Sequence, residues 1–97
     1  MTRELGSIRQ EIDQIDKELV RLIEQRLDCV TEVIAYKIAH DLPIYDASRE
    51  TAVKDKAAQL VTKKTYQATI VETFSDIMAR SRDYQAQFVK DQKEKNG

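Results

Sequence analysis

The chain has 97 residues and a formal net charge of −1, with 16 basic and 17 acidic side chains dispersed along it. That length holds a single domain, taken here as residues 1–97; no basic block is present to grip a phosphate backbone, and no apolar run approaches the roughly 20 residues that span a bilayer. Two glycines, one proline and a charged fraction of 34% indicate an all-helical protein.

The first predicted helix runs from about residue 5 to about residue 40, since neither Gly nor Pro occurs between Gly6 and Pro43. Thr2 and Ser7 are its candidate N-caps. Leu5, Ile8, Ile12, Ile15, Leu19 and Leu22 recur every three or four residues, and Val30 and Val33 continue the stripe. Arg26 and Lys37 occupy stripe positions that call for an apolar side chain. A second stripe, Val20, Ile23, Leu27, Val30, Ile34 and Ile38, widens the apolar face towards the C-terminal half. Such a helix is about 50 Å long, whereas a compact globule of this size has a radius of gyration of about 13 Å. One copy cannot cover it, so an obligate dimer is expected. Cys29 is the single cysteine, which leaves no disulfide framework and reads as a small packing residue. His40 sits near the helix end, where an imidazole suits the dipole.

Asp41-Leu42-Pro43 ends the first helix, because the residue before a proline is pushed out of the helical region. Ile44-Tyr45 is a short extended connector. Asp46 caps a second helix over about 46–62, with Ser48 as the alternative cap. Thr62 to Thr65 form a polar connector, and a third helix covers about 66–90 with Ile70, Phe74, Ile77, Met78, Tyr84 and Phe88 on one face. Ser81 and Gln85 interrupt that face one turn apart, and the charged tail from Lys90 onwards is expected to fray.

The residues that break the apolar pattern carry the functional signal: Arg26, Lys37, Ser81 and Gln85, joined by Asp46, Arg49 and Glu50 at the head of the second helix. Each has a bland alternative. Arg26 or Lys37 alone can snorkel, Ser81 can bond its own helix backbone, Gln85 can fix a helix register, Asp46 can be only a cap, and Glu50 can simply favour the dipole. A coincidence of all of these is much less expected than any one. Arg26 and Lys37 lie eleven residues apart, three turns to within about 20° and about 16 Å along the axis, which leaves room between them for a small organic dianion. An Arg grips a carboxylate with two parallel bonds and a Lys adds a point charge. No nucleophile–base pair, metal-ligand set or glycine-rich phosphate loop is visible, so the chemistry should rest on charge placed around a flexible anion, without a cofactor.

The ordered set resembles the all-helical (AroQ-type) chorismate mutases. It is carried by Ile8-Arg9 with Ile12, Asp13, Ile15 and Asp16; by Leu22 through Arg26; by Val33 through Lys37; by Pro43-Ile44-Tyr45-Asp46 followed by Arg49-Glu50; and by Phe74, Ile77, Ser81 and Gln85. The resemblance covers roughly Leu5 to Phe88. It implies an intertwined homodimer of three-helix chains that converts chorismate to prephenate, an intramolecular Claisen rearrangement, with no cofactor and no metal. It also implies roles. Arg26 binds one substrate carboxylate and Arg9 reaches the other from the partner subunit. Lys37 and Gln85 bond the ether oxygen, Asp46 and Glu50 contact the ring hydroxyl, Arg49 lines the pocket, and Ser81 helps hold a carboxylate. A stand-alone, cytoplasmic form is expected, with neither nucleic acid nor membrane as a partner. The alternatives are an isochorismate-pyruvate lyase on the same fold and a non-catalytic helical regulatory or dimerisation module.

Overall fold

The structure is a computed structural model that describes residues 3–96. Among these residues all regular structure is helical: α1 (Leu5–Ala39), α2 (Ala47–Leu60), a single 3-10 turn (Lys64–Tyr66) and α3 (Gln67–Asn96). None of the helices is long and apolar enough to cross a membrane.

The helix ends show which local chemistry wins. Glu4 takes the N-cap position of α1 without a side-chain cap bond, and Ser7 lies inside the helix, so Ser7 is not the cap; Thr2 lies outside the described residues. At the other end, His40 is the C-cap, with its Nδ1 2.9 Å from the Tyr36 carbonyl and its ring stacked on Tyr36. Asp41 then adopts φ 56°. Its N–H reaches the Ile38 carbonyl at 3.3 Å, and the Leu42 N–H reaches the Lys37 carbonyl at 2.8 Å. This is a Schellman cap, with Asp in the left-handed place that usually takes Gly. Two backbone bonds therefore stop α1 before the proline restriction acts. Asp46 caps α2, its Oδ1 accepting from the Arg49 N–H at 3.0 Å. α2 ends at Leu60 rather than about residue 62, where Lys64 Nζ donates to the Ala58 carbonyl.

The C-terminal segment corrects the expected fraying: α3 continues through Lys90 to Asn96. No Gly or Pro interrupts it there, Gln87 donates to Asp91 one turn on at 2.8 Å, and Lys93 and Lys95 lie in the last turn, where cations suit the dipole.

α2 packs along α3, and α3 packs along the C-terminal half of α1. The small core consists of Ile34, Ala57, Val61 and Met78. The N-terminal half of α1 projects beyond it, and every residue from Arg9 to Gln25 is exposed. Leu5 is 59% exposed, Ile15 52% and Leu19 47%, with Ile12 and Leu22 similarly open. The molecule measures 62 × 27 × 15 Å with a radius of gyration of 17.3 Å, well above the ~13 Å of a compact chain of this length. The chain does not cover its own longest apolar stripe.

The cap after α1 gives a stability prediction. A non-glycine residue in the left-handed region carries a penalty of about 1–2 kcal/mol, least for Asp and Asn. An acidic side chain at a helix C-terminus also opposes the dipole. Asp41→Gly should therefore raise the melting temperature slightly, and Asp41→Val should lower it by several degrees. Thermal melts at one fixed protein concentration check both signs.

Candidate active site

Where α1, α2 and α3 converge they line a cavity of about 260 Å³ that is partly open to solvent. α1 contributes Arg26, Cys29, Val30, Val33 and Lys37; the connector contributes Ile44 and Asp46; α2 contributes Arg49, Glu50 and Val53; α3 contributes Met78, Ser81, Arg82 and Gln85. The spacing that breaks the α1 stripe thus places both cations on the wall that faces the other two helices. Four cationic side chains, Arg26, Lys37, Arg49 and Arg82, stand against two carboxylates, Asp46 and Glu50. The formal surplus of two positive charges suits a small dianion.

The hydrogen bonds fix several of these groups before any ligand arrives. Arg26 Nη1 donates to Ser81 Oγ at 3.1 Å, and Ser81 Oγ donates to the Ile77 carbonyl at 2.9 Å. Ser81 therefore does both things open to it: it bonds its own helix and positions the guanidinium. Tyr84 Oη and Thr31 Oγ1 lie 2.7 Å apart and tie the same two helices together one turn further on. Lys37 Nζ donates to the Ile44 carbonyl at 2.7 Å, which leaves two further ammonium protons for a ligand. Gln85 is 8% exposed and its Oε1 is buried without a partner. A buried polar atom left unpaired costs about 1–3 kcal/mol; Oε1 can only accept, so any bond this side chain donates to a ligand comes from its Nε2.

Arg82 was not signalled by the sequence pattern. It follows Ser81 directly, off the apolar stripe, where a charged residue looks like surface. Its Nη1 donates to Glu50 Oε1, and its guanidinium lies 5.3 Å from the centre of the Tyr45 ring. The hydrogen bond it donates to Glu50 raises the Arg82 pKa above its ordinary value, against the opposing effect of burial, so the group stays cationic. Cys29 is a second correction: it is exposed and lines the cavity instead of packing in the core, because it sits one position off the stripe.

Of the residues expected at the site, Arg26, Lys37, Asp46, Arg49, Glu50, Ser81 and Gln85 all line this one cavity. Arg9 does not; it is exposed on the projecting half of α1. Seventeen residues separate it from Arg26 on an unbroken helix, about 25 Å along the axis and about 100° around it.

Comparison with protein families matches residues 8–86 to chorismate mutase type II. Over 97 aligned residues the chain is 27% identical to a chorismate mutase of Methanocaldococcus jannaschii, covering 99% of this chain and 98% of that protein. It is 36% identical over 76 residues to a T-protein of Haemophilus influenzae, covering 78% of this chain but only 19% of that protein. It is 34% identical over 56 residues to a 4-amino-4-deoxychorismate mutase of Streptomyces venezuelae, covering 58% of this chain and 54% of that protein. No solved structure matches the chain significantly.

Proposed function

The chain belongs to the chorismate mutase type II family, and on that premise we propose that it converts chorismate to prephenate. The observation that carries this reading is the meeting of Arg26, Lys37, Asp46, Arg49, Glu50, Ser81 and Gln85 in one cavity with a surplus of two positive charges.

Chorismate is a dicarboxylate whose rearrangement is unimolecular. It needs the side chain folded over the ring, and it needs charge stabilised on the ether oxygen as the C–O bond breaks. Arg26, steadied by Ser81, binds one carboxylate and holds the compact conformer, which is an orientation contribution. Lys37 and the Gln85 amide donate to the ether oxygen from a pocket walled by Val30, Val33, Val53 and Met78, which is an electrostatic contribution. Asp46 and Glu50 meet the ring hydroxyl and Arg49 lines the wall. No proton is gained or lost overall, and no cofactor is called for.

The second carboxylate requires Arg9, which cannot reach the cavity of its own chain. The exposed stripe of Leu5, Ile12, Ile15, Leu19 and Leu22 supports a partner copy lying against α1. In an antiparallel, intertwined homodimer, Arg9 enters the cavity of the partner. A cytoplasmic location is part of the same reading.

Incubation with chorismate, followed by loss of its ultraviolet absorbance and identification of prephenate as product, tests the activity directly. Release of pyruvate instead would identify a lyase. In the same assay Lys37→Ala should lower turnover by about a hundredfold or more, the usual consequence of removing a donor to charge formed in the transition state. It should weaken an inert dicarboxylate analogue far less. Near-normal turnover in this variant would remove Lys37 from the mechanism.

Gln85 is a neutral donor, so turnover should be nearly level from mildly acidic to neutral pH. Gln85→Glu should turn that profile into one that rises towards acid, because only the protonated carboxyl can donate. An unchanged profile would exclude the amide as donor.

The shared site has its own test. Arg9→Ala and Arg26→Ala homodimers should each be almost inactive. Unfolded together in equal amounts and refolded, about half of the dimers should be mixed. Each mixed dimer has one site lacking both arginines and one site with both, so about a quarter of wild-type activity should return. Activity that stays near zero, or an active Arg9→Ala homodimer, would refute sharing.

A further inference from the structure

Glu50 meets the ring hydroxyl in the proposed reaction, and Arg82 touches none of the groups that react. Glu50 does not stand alone in the cavity: Arg82 Nη1 donates to its Oε1. The Arg82 guanidinium carbon also lies over the Tyr45 ring, 5.3 Å from its centre, a cation–π contact. Three separate segments thus build one unit: Tyr45 from the connector, Glu50 from α2 and Arg82 from α3. Glu50 and Arg82 both line the cavity, so the ring substituent of a bound substrate meets the pair rather than a lone carboxylate.

That difference bears on which substituent the site accepts. An unpaired carboxylate attracts a cation and accepts a hydrogen bond from an ammonium as readily as from a hydroxyl. A carboxylate already neutralised by a guanidinium keeps an oxygen to accept from a hydroxyl, but it no longer offers net attraction to a cation. The guanidinium itself repels one. We propose that Arg82 is a specificity-determining residue, which sets this site for a dianion bearing a ring hydroxyl and against the analogue bearing a protonated ring amine. The proposal rests on the chorismate mutase reading. The competing ligand is 4-amino-4-deoxychorismate, which carries an amine in place of the hydroxyl and names one of the relatives above.

The test compares kcat/KM for chorismate and for 4-amino-4-deoxychorismate in the full chain. The wild type should prefer chorismate. Arg82→Leu frees Glu50 and should lower the ratio of the two kcat/KM values by about tenfold at low ionic strength, the scale of one nearby charge in a partly hydrated site. Arg82→Lys keeps the charge and should keep most of the preference. Glu50→Gln, which leaves Arg82 unneutralised, should move the ratio the other way. The wild-type preference should also weaken as pH rises through the pKa of the substrate amine, a change that a purely structural role for Arg82 would not produce. A ratio unchanged in Arg82→Leu, or in Glu50→Gln if the leucine variant does not fold, overturns the assignment and leaves the mutase reading intact. A wild type that does not turn over chorismate overturns both.

Discussion

Arg26 and Lys37 interrupt the apolar face of α1, and a charge placed there is costly unless polar groups from elsewhere in the chain meet it. The fold supplies them from two directions. Ser81 on α3 accepts from Arg26, and the Ile44 carbonyl of the connector accepts from Lys37. Those two bonds fix how α3 and the connector lie on α1. The connector in turn starts α2 through the Asp46 cap, and so brings Glu50 and Arg49 to the same cavity. Among the described residues neither cation pairs with a carboxylate. That leaves the positive surplus on which the proposed binding of a dianion depends.

Covering α1 is the second constraint, and it works at larger scale. Ile34 is the one buried residue of this helix, while its N-terminal half keeps its apolar residues in water. Burying a Leu or Ile side chain is worth about 1.5–3 kcal/mol, so five such residues left open are a strong incentive for association. In the proposed homodimer the same surface that joins two copies carries Arg9 to the partner's cavity. Stability and activity would then depend on one interface, and a lone protomer would have an incomplete site.

The helix count and the positions of the breaks were readable because they rest on short-range rules: no Gly or Pro within α1, a capping Asp46, a Pro at 43. The actual stop of α1 was not, since it uses Asp41 in a conformation that the sequence rules associate with Gly. The reach of α3 was underestimated because a charged tail looks disordered until its partners one turn away are known. At the site, Arg26, Lys37, Ser81 and Gln85 were legible as polar residues where the pattern calls for apolar ones. Asp46, Arg49 and Glu50 were legible from their place after the connector. Arg82 and Cys29 were not. Arg82 sits one position beside a stripe, where periodicity assigns a residue to solvent, and Cys29 was read as a packing residue; only the crossing of three helices turns that edge into a cavity wall.

Gln85 shows how the local and global requirements meet. Its amide is almost wholly buried with Oε1 unpaired, an arrangement that a helix selected only for packing would replace with Leu or Met. One turn before it, Ser81 is equally buried but satisfied on both sides, as donor to Ile77 and acceptor from Arg26. The two polar interruptions of α3 therefore differ in kind. Ser81 completes the protein's own hydrogen bonding and positions a cation. Gln85 lines the cavity with its acceptor Oε1 unpaired, and its Nε2 is the atom that can donate to a ligand. A polar group that is held in place by packing, and not by its own bonds, need not break any interaction to engage a ligand. Such preorganisation lowers a barrier without a reorganisation cost at the moment of reaction.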